Sequence, residues 1–274
     1  MSRTADLTGR TVLVTGASSG IGWACAEAFA AAGCRVALAA RRVEKAGDLA
    51  RSLRARGAEA MALACDVRDA GAARAAVERT AGEWGRIDYL INNAGVQETK
   101  PFEDQDLATV EDILRTNLLG CIYTMHAAIP LMRRAGEGHI VNVASIAGLI
   151  GLPYMAVYCA SKFALVGLTE ALRRELRGTG VTLTAFCPGT VDTPMVAESL
   201  SDPGLSKLVR PKTAAQIAAA VVEAARRRSP EVVIGEVPGA LLKAARFVPR
   251  LTDAAAATIV ARFHPLARRY RAGK

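Results

Sequence analysis

Short apolar runs, several of them β-branched, alternate along the chain with long alanine-rich amphipathic stretches, the pattern of strands separated by helices in a parallel sheet. The expected strands are Thr11–Thr15, Val36–Ala40, Ala60–Ala64, Ile87–Asn92, His139–Ser145, Val181–Cys187 and Val232–Gly235. Val36–Ala40 and His139–Val143 are almost continuously apolar, as strands buried on both faces must be. The pattern predicts an α/β fold, a doubly wound sheet of about seven parallel strands with helices on both faces. After Val191 the alternation loosens into a short segment to Val209, a helix expected over Thr213–Arg228 that ends in three arginines, and a proline-punctuated tail. Arginines in a last helical turn suit the helix dipole. We therefore expect one catalytic domain over residues 1–240, with a substrate lid at about 194–212, and a basic helical extension over 241–274.

A chain of 274 residues, 51% of them hydrophobic, is long enough for one large core. Cys25, Cys34, Cys65, Cys121, Cys159 and Cys187 are scattered singly, which reads as free thiols of a reducing compartment rather than a disulfide framework. No apolar run approaches the roughly 18–20 residues of a membrane span, and no basic-then-apolar leader opens the chain. A cytoplasmic protein is expected. The formal charge of +9 is concentrated: residues 205–274 carry 14 Lys and Arg against 4 Asp and Glu, and the rest of the chain 21 against 22. The basicity belongs to the C-terminal quarter.

Chemistry enters directly after the first expected strand, where Thr15-Gly16-Ala17-Ser18-Ser19-Gly20-Ile21-Gly22 leads into an alanine-rich helix starting near Trp23. Glycines at 16, 20 and 22 permit a tight turn and a close backbone approach to a pyrophosphate at the positive end of the helix. An isolated glycine spacing reads equally well as turn geometry, but a strand before and a helix after favour a phosphate cradle of the Rossmann type. In such folds an acid closing the second strand binds the ribose 2′-hydroxyl and repels a 2′-phosphate. Here Ala40, Arg41 and Arg42 occupy that place, so NADP(H) is expected in preference to NAD(H), mainly through Arg41. Cys65-Asp66-Val67 and Asn92-Asn93-Ala94-Gly95 follow the third and fourth strands, at the sheet edge where open α/β sheets bind ligands.

Tyr158 and Lys162 lie four residues apart in an amphipathic segment running to about Arg177, on one helix face. A cation about 4 Å from a phenolate contributes about 4 kcal/mol at an effective dielectric of about 20. That is the order needed to bring a phenol from its ordinary value of about 10 toward neutral pH. Ser145, thirteen residues before Tyr158, ends the fifth strand, where its hydroxyl can donate to a substrate oxygen. Tyr-x-x-x-Lys alone, or a lone strand-end serine, carries little weight. Their order along one sheet edge with the glycine loop and the strand-end asparagines is the specific signal.

On Thr15–Gly22, Asn92–Gly95, Asn117, Ser145, Tyr158 with Lys162, and Pro188-Gly189, the sequence resembles the short-chain dehydrogenase/reductase family over roughly residues 7–235. The resemblance implies that Asn117 orders the active-site helix and a water near Lys162, and that Lys162 bonds the nicotinamide ribose. It further implies that Asp66 and Val67 meet the adenine, that Ile21, Asn93 and Val191 contribute backbone contacts, and that Ala94, Gly95, Pro188, Gly189 and Thr193 complete the cofactor site with Ser18 and Ser19. No metal is expected. Ser145 is assigned to polarising a carbonyl and Tyr158 to proton transfer. Met195, Leu200, Leu205 and Leu208 suggest a moderately apolar substrate, though they read equally as lid packing against the core.

The partners expected are a small carbonyl or alcohol and further copies of the chain, a dimer or tetramer packed through Val110–Met132 and Tyr158–Arg177. No nucleic acid is expected, since the basic tail carries few aromatics. Ile259, Phe263, Leu266 and Tyr270 recur at near-helical spacing among arginines, so the tail reads either as a basic amphipathic helix on an anionic membrane or acidic partner, or as a self-packing extension. The other functional class open to this sequence is a non-catalytic NADP(H)-binding sensor or scaffold, against which the complete Asn117, Ser145, Tyr158 and Lys162 set argues.

Overall fold

The computed structural model describes residues 5–197, 210–235 and 237–263. Seven parallel strands form the main sheet: β1 (Thr11–Thr15), β2 (Arg35–Ala40), β3 (Ala60–Ala64), β4 (Tyr89–Asn92), β5 (Gly138–Val143), β6 (Val181–Pro188) and β9 (Glu231–Ile234). Their order is β3-β2-β1-β4-β5-β6-β9, and two short strands, β7 (Val191–Asp192) and β8 (Lys212–Thr213), pair separately. This is the expected doubly wound sheet. Its order reverses between β1 and β4, the point at which such sheets bind ligands.

The two faces follow from strand alternation. Val12, Val14, Val36 and Leu38 point into one core, against α1 (Gly20–Ala31), α2 (Val43–Ala55) and α7 (Ala214–Arg227). Leu13, Ala37 and Ala39 point into the other, against α3 (Ala70–Trp84), α5 (Gly120–Arg134) and α6 (Ala156–Glu175). A short helix, α4 (Leu107–Leu114), runs into α5 through a π-turn at Arg115–Leu119. Beyond β9 the chain forms α8 (Gly239–Ala245) and α9 (Pro249–Phe263). The described part of the C-terminal segment is thus helical, whereas Leu266, Tyr270, most of the expected lid, and Leu200, Leu205 and Leu208 lie outside the described residues. All six cysteines are free and buried, and no helix among the described residues is long and apolar enough to cross a membrane.

Several boundaries differ from expectation for local reasons. The fifth strand ends at Val143, not at Ser145. Ser145 caps the next turn, its Oγ accepting from the Ala147 amide at 3.1 Å, which draws the backbone out of the sheet. The fourth strand starts at Tyr89 rather than Ile87, because Asp88 turns its carboxylate onto the Thr11 amide and onto Arg10, both at 2.9 Å. The first helix begins at Gly20, ahead of Trp23. The seventh begins after Thr213, which forms a reciprocal capping box with Gln216.

Candidate active site

Close approach explains the glycines of the first loop. Gly16 has φ +67°, and a Cβ there would stand 2.8 Å from Ala94 Cα; one on Gly22 would stand 2.4 Å from the Gly16 carbonyl oxygen. Thr15 and Asn93 fasten this loop to the end of β4: the Asn93 and Ala94 amides donate to Thr15 Oγ1 at 3.0 and 3.1 Å, and Asn93 Nδ2 donates to Thr15 O at 3.0 Å. Ser19 precedes α1 without a side-chain cap bond, and no acid stands in the helix's first turn. The positive end of α1 is therefore uncompensated by the chain, which suits an anion.

At the end of β2, Arg42 donates to Ser18 Oγ and Ser19 Oγ at 3.2 and 3.1 Å, so it reaches over the glycine loop. Arg41 stands beside it, exposed. Asp66 is engaged by Arg68, at 2.6 Å, and that hydrogen bond holds its carboxyl below the usual range. Arg68 also pairs with Asp112 on α4.

Farther along the edge, Tyr158 and Lys162 lie on α6 and are both buried, at 8% and 4% exposure. Ser145 Oγ, which accepts from the Ala147 amide, is the neighbour that pulls the phenol's pKa down. The Lys162 ammonium lies 5.7 Å from the ring centroid and donates to the Val143 carbonyl at 2.9 Å. Burial pushes Tyr158 up to about 12 against the pull of Ser145, and burial likewise lowers Lys162. Desolvation is the leading cause for both groups.

Asn117 stands in the π-turn, fully buried, accepting from the Val96 amide at 2.8 Å and donating to the Val96 carbonyl at 2.9 Å and to Ser161 Oγ at 3.0 Å. It ties the segment after β4 to α6. A π-turn inside a helix is a frequent companion of functional sites.

One cavity of about 840 Å³ runs along this edge. Its wall includes Gly16, Ser18, Ser19, Gly20, Ile21, Arg41, Arg42, Asp66, Val67, Asn93, Ala94 and Gly95 at one end. Ser145, Tyr158, Lys162, Pro188, Gly189, Val191 and Thr193 complete the expected set. Gly22 and Asn117 stand behind that wall, the first as a packing glycine and the second through its bonds to Val96 and Ser161.

The family model described as short chain dehydrogenase matches residues 10–204. The chain belongs to the short-chain dehydrogenase family. It is 38% identical over 234 residues to the ketoacyl reductase HetN of Nostoc sp., covering 85% of this chain and 80% of that one. It is 39% identical to the D-threitol dehydrogenase of Mycolicibacterium smegmatis, over 74% and 79% of the two chains. Among solved structures, a short-chain type dehydrogenase/reductase from Mycobacterium marinum superposes with a TM-score of 0.77 at 31% identity, covering 84% of this chain and 95% of that one.

This short-chain dehydrogenase also has wall residues that the sequence pattern did not single out. Gln97 and Thr99 follow the strand-end asparagines, and Ile150, Gly151, Leu152, Pro153 and Met155 precede α6. Val237, Leu242, Thr252, Ala255 and Ala256 come from beyond the matched segment. A helical extension was expected there, but nothing in the sequence pointed to its lining the cavity.

Proposed function

We propose that this chain is an NADP(H)-dependent oxidoreductase interconverting a carbonyl and a secondary alcohol on a moderately apolar small molecule, with Tyr158 as acid/base. The observation that carries this reading is the continuity of the cavity, which has the glycine loop on its wall at one end and Ser145, Tyr158 and Lys162 farther along. The relatives named for ketoacyl reduction and for D-threitol dehydrogenation support both directions of the same carbonyl chemistry.

The chain offers a dinucleotide a cradle that a side chain at Gly16 or Gly22 would fill, and a helix end lacking an acid. The α1 amides would take the pyrophosphate, Arg41 with Arg42 the 2′-phosphate, and Asp66 with Val67 would border the adenine. Asn93, Gly189, Val191, Thr193 and Lys162 would hold the nicotinamide half. A bound nicotinamide supplies the hydride and, when oxidised, a positive charge in the site. Ser145 donates to the substrate oxygen, and Tyr158, which keeps its proton through the neutral range, transfers that proton to the oxygen as the carbon is reduced. Lys162, one turn from Tyr158 on the same helix, restores the proton with Asn117.

Tyr158→Phe tests this assignment. Cofactor binding by fluorescence quenching is expected to persist while turnover, followed by NADPH absorbance, falls by about 10²–10⁴. Near-normal turnover would remove Tyr158 from the mechanism.

A further inference from the structure

The cavity lined by Tyr158 also takes wall residues from the part of the chain that lies past the matched segment. α8 is held down at four points. A Cβ on Gly239 would stand 2.5 Å from Val233 Cγ2, so the helix lies directly on β9. Leu242 is buried in the second core. Lys243 Nζ donates to both Glu231 carboxylate oxygens, at 2.7 and 2.6 Å. The Arg246 guanidinium lies 5.1 Å over the ring of Phe163, the residue after Lys162 on α6.

After this anchor the chain turns, with the Phe247 and Val248 amides bonding the Ala244 and Ala245 carbonyls, and α9 starts at Pro249, a residue preorganised for a first helical turn. Thr252, Ala255 and Ala256 then recur at helical spacing on the cavity face. The Thr252 hydroxyl donates within its own helix, to Pro249 O at 2.9 Å, so it makes no demand for a polar partner across the cavity. Met155 and Met195 belong to the same wall.

The charged members of the wall among the described residues are Arg41, Arg42, Asp66 and Lys162. The first three belong to the glycine-loop end, and Lys162, held by Val143, is the cation already assigned to the cofactor and Tyr158. The substrate end therefore offers no described cation for a carboxylate or phosphate.

We infer that α8 and α9 wall a subsite for an apolar chain attached to the reacting carbonyl, its room set by the small side chains of Ala255 and Ala256. The inference rests on the oxidoreductase reading for its chemistry, though not for its binding. A chain entering this wall leaves water one methylene at a time, and each buried methylene is worth roughly a fourfold gain.

The test uses methyl ketones from butanone to decanone as substrates of the full chain with NADPH, and the matching secondary alcohols as ligands in calorimetry without cofactor. Wild-type kcat/KM and alcohol affinity are expected to rise roughly fourfold per methylene until the subsite is filled. Ala256→Phe, and Ala255→Phe as an independent variant, are expected to hold butanone within about twofold. They should cost the longest ketone about tenfold or more, with unchanged thermal melting and NADPH quenching. Length-independent binding in the wild type, or an equal loss on short and long chains in both variants, overturns the subsite. Length-dependent alcohol binding without reduction of any ketone leaves the subsite standing and removes the proposed activity.

Discussion

At the scale of single residues, cofactor choice rests on what stands at the end of β2. Ala40 closes the strand where an acid would select the 2′-hydroxyl, and Arg42 reaches over the glycine loop to Ser18 and Ser19. Arg41 is the neighbouring cation at that end of the cavity. Arg41→Asp replaces an attraction for a 2′-phosphate by a repulsion, and a hydrogen bond to a charged group is worth about 1.5–3 kcal/mol. The kcat/KM ratio of NADPH to NADH is therefore expected to fall by about tenfold or more, and an unchanged ratio would dismiss Arg41 as the discriminator. Residues of this kind were legible because their chemistry is local: a glycine needing room, a Tyr and Lys one helical turn apart, a serine leaving a strand. Ala255 and Ala256 were not, since nothing about an alanine reveals that a distant helix will bring it to a cavity. Nor was the upward push of burial on Tyr158, because the benefit of a nearby lysine is visible in the spacing while the cost of burying both groups is not.

Elements were read well where periodicity sets them and poorly where side chains interrupt it. Every expected strand exists, each with its apolar positions divided between two cores, whereas Ser145 and Asp88 moved two boundaries by pulling backbone amides onto their side chains. The π-turn at Arg115–Leu119 left no trace in the hydrophobic pattern, since one extra residue per turn hardly disturbs an amphipathic stretch. Its consequence is that Asn117 faces Val96 and Ser161, with three hydrogen bonds joining two elements. Asn117→Ala strips the Val96 amide and carbonyl of their side-chain partners, so a stability loss of about 1–3 kcal/mol is expected in urea unfolding. A loss no larger than that of an exposed substitution would show that water replaces the carboxamide and that the tie between the β4 edge and α6 is not structural.

For the whole molecule, the sheet edge opposite the cavity determines how the fold responds to acid. There Arg10, Asp88, Glu137 and Arg228 form a linked ion cluster, and His139 at the start of β5 is fully buried next to it. Its ring bonds Thr182 Oγ1 at 2.8 Å through Nδ1 and Thr184 Oγ1 at 3.0 Å through Nε2, and it packs edge-on to Tyr89. Burial first, and the charge of Arg228 second, push its pKa from 6.5 to about 3. As pH falls below 6.5 the unfolded chain takes up a proton that the folded chain refuses until about pH 3, so folding loses stability throughout that window. The slope from this one group approaches about 1.4 kcal/mol per pH unit and vanishes above neutrality, where both states hold a neutral ring. His139→Gln keeps an amide able to bond the threonines and removes the titration. Urea unfolding of both proteins from neutral pH down to pH 4 is therefore expected to give converging stabilities, the wild type falling more steeply, while parallel lines would mean that the carboxylates of the ion cluster alone set the acid limit.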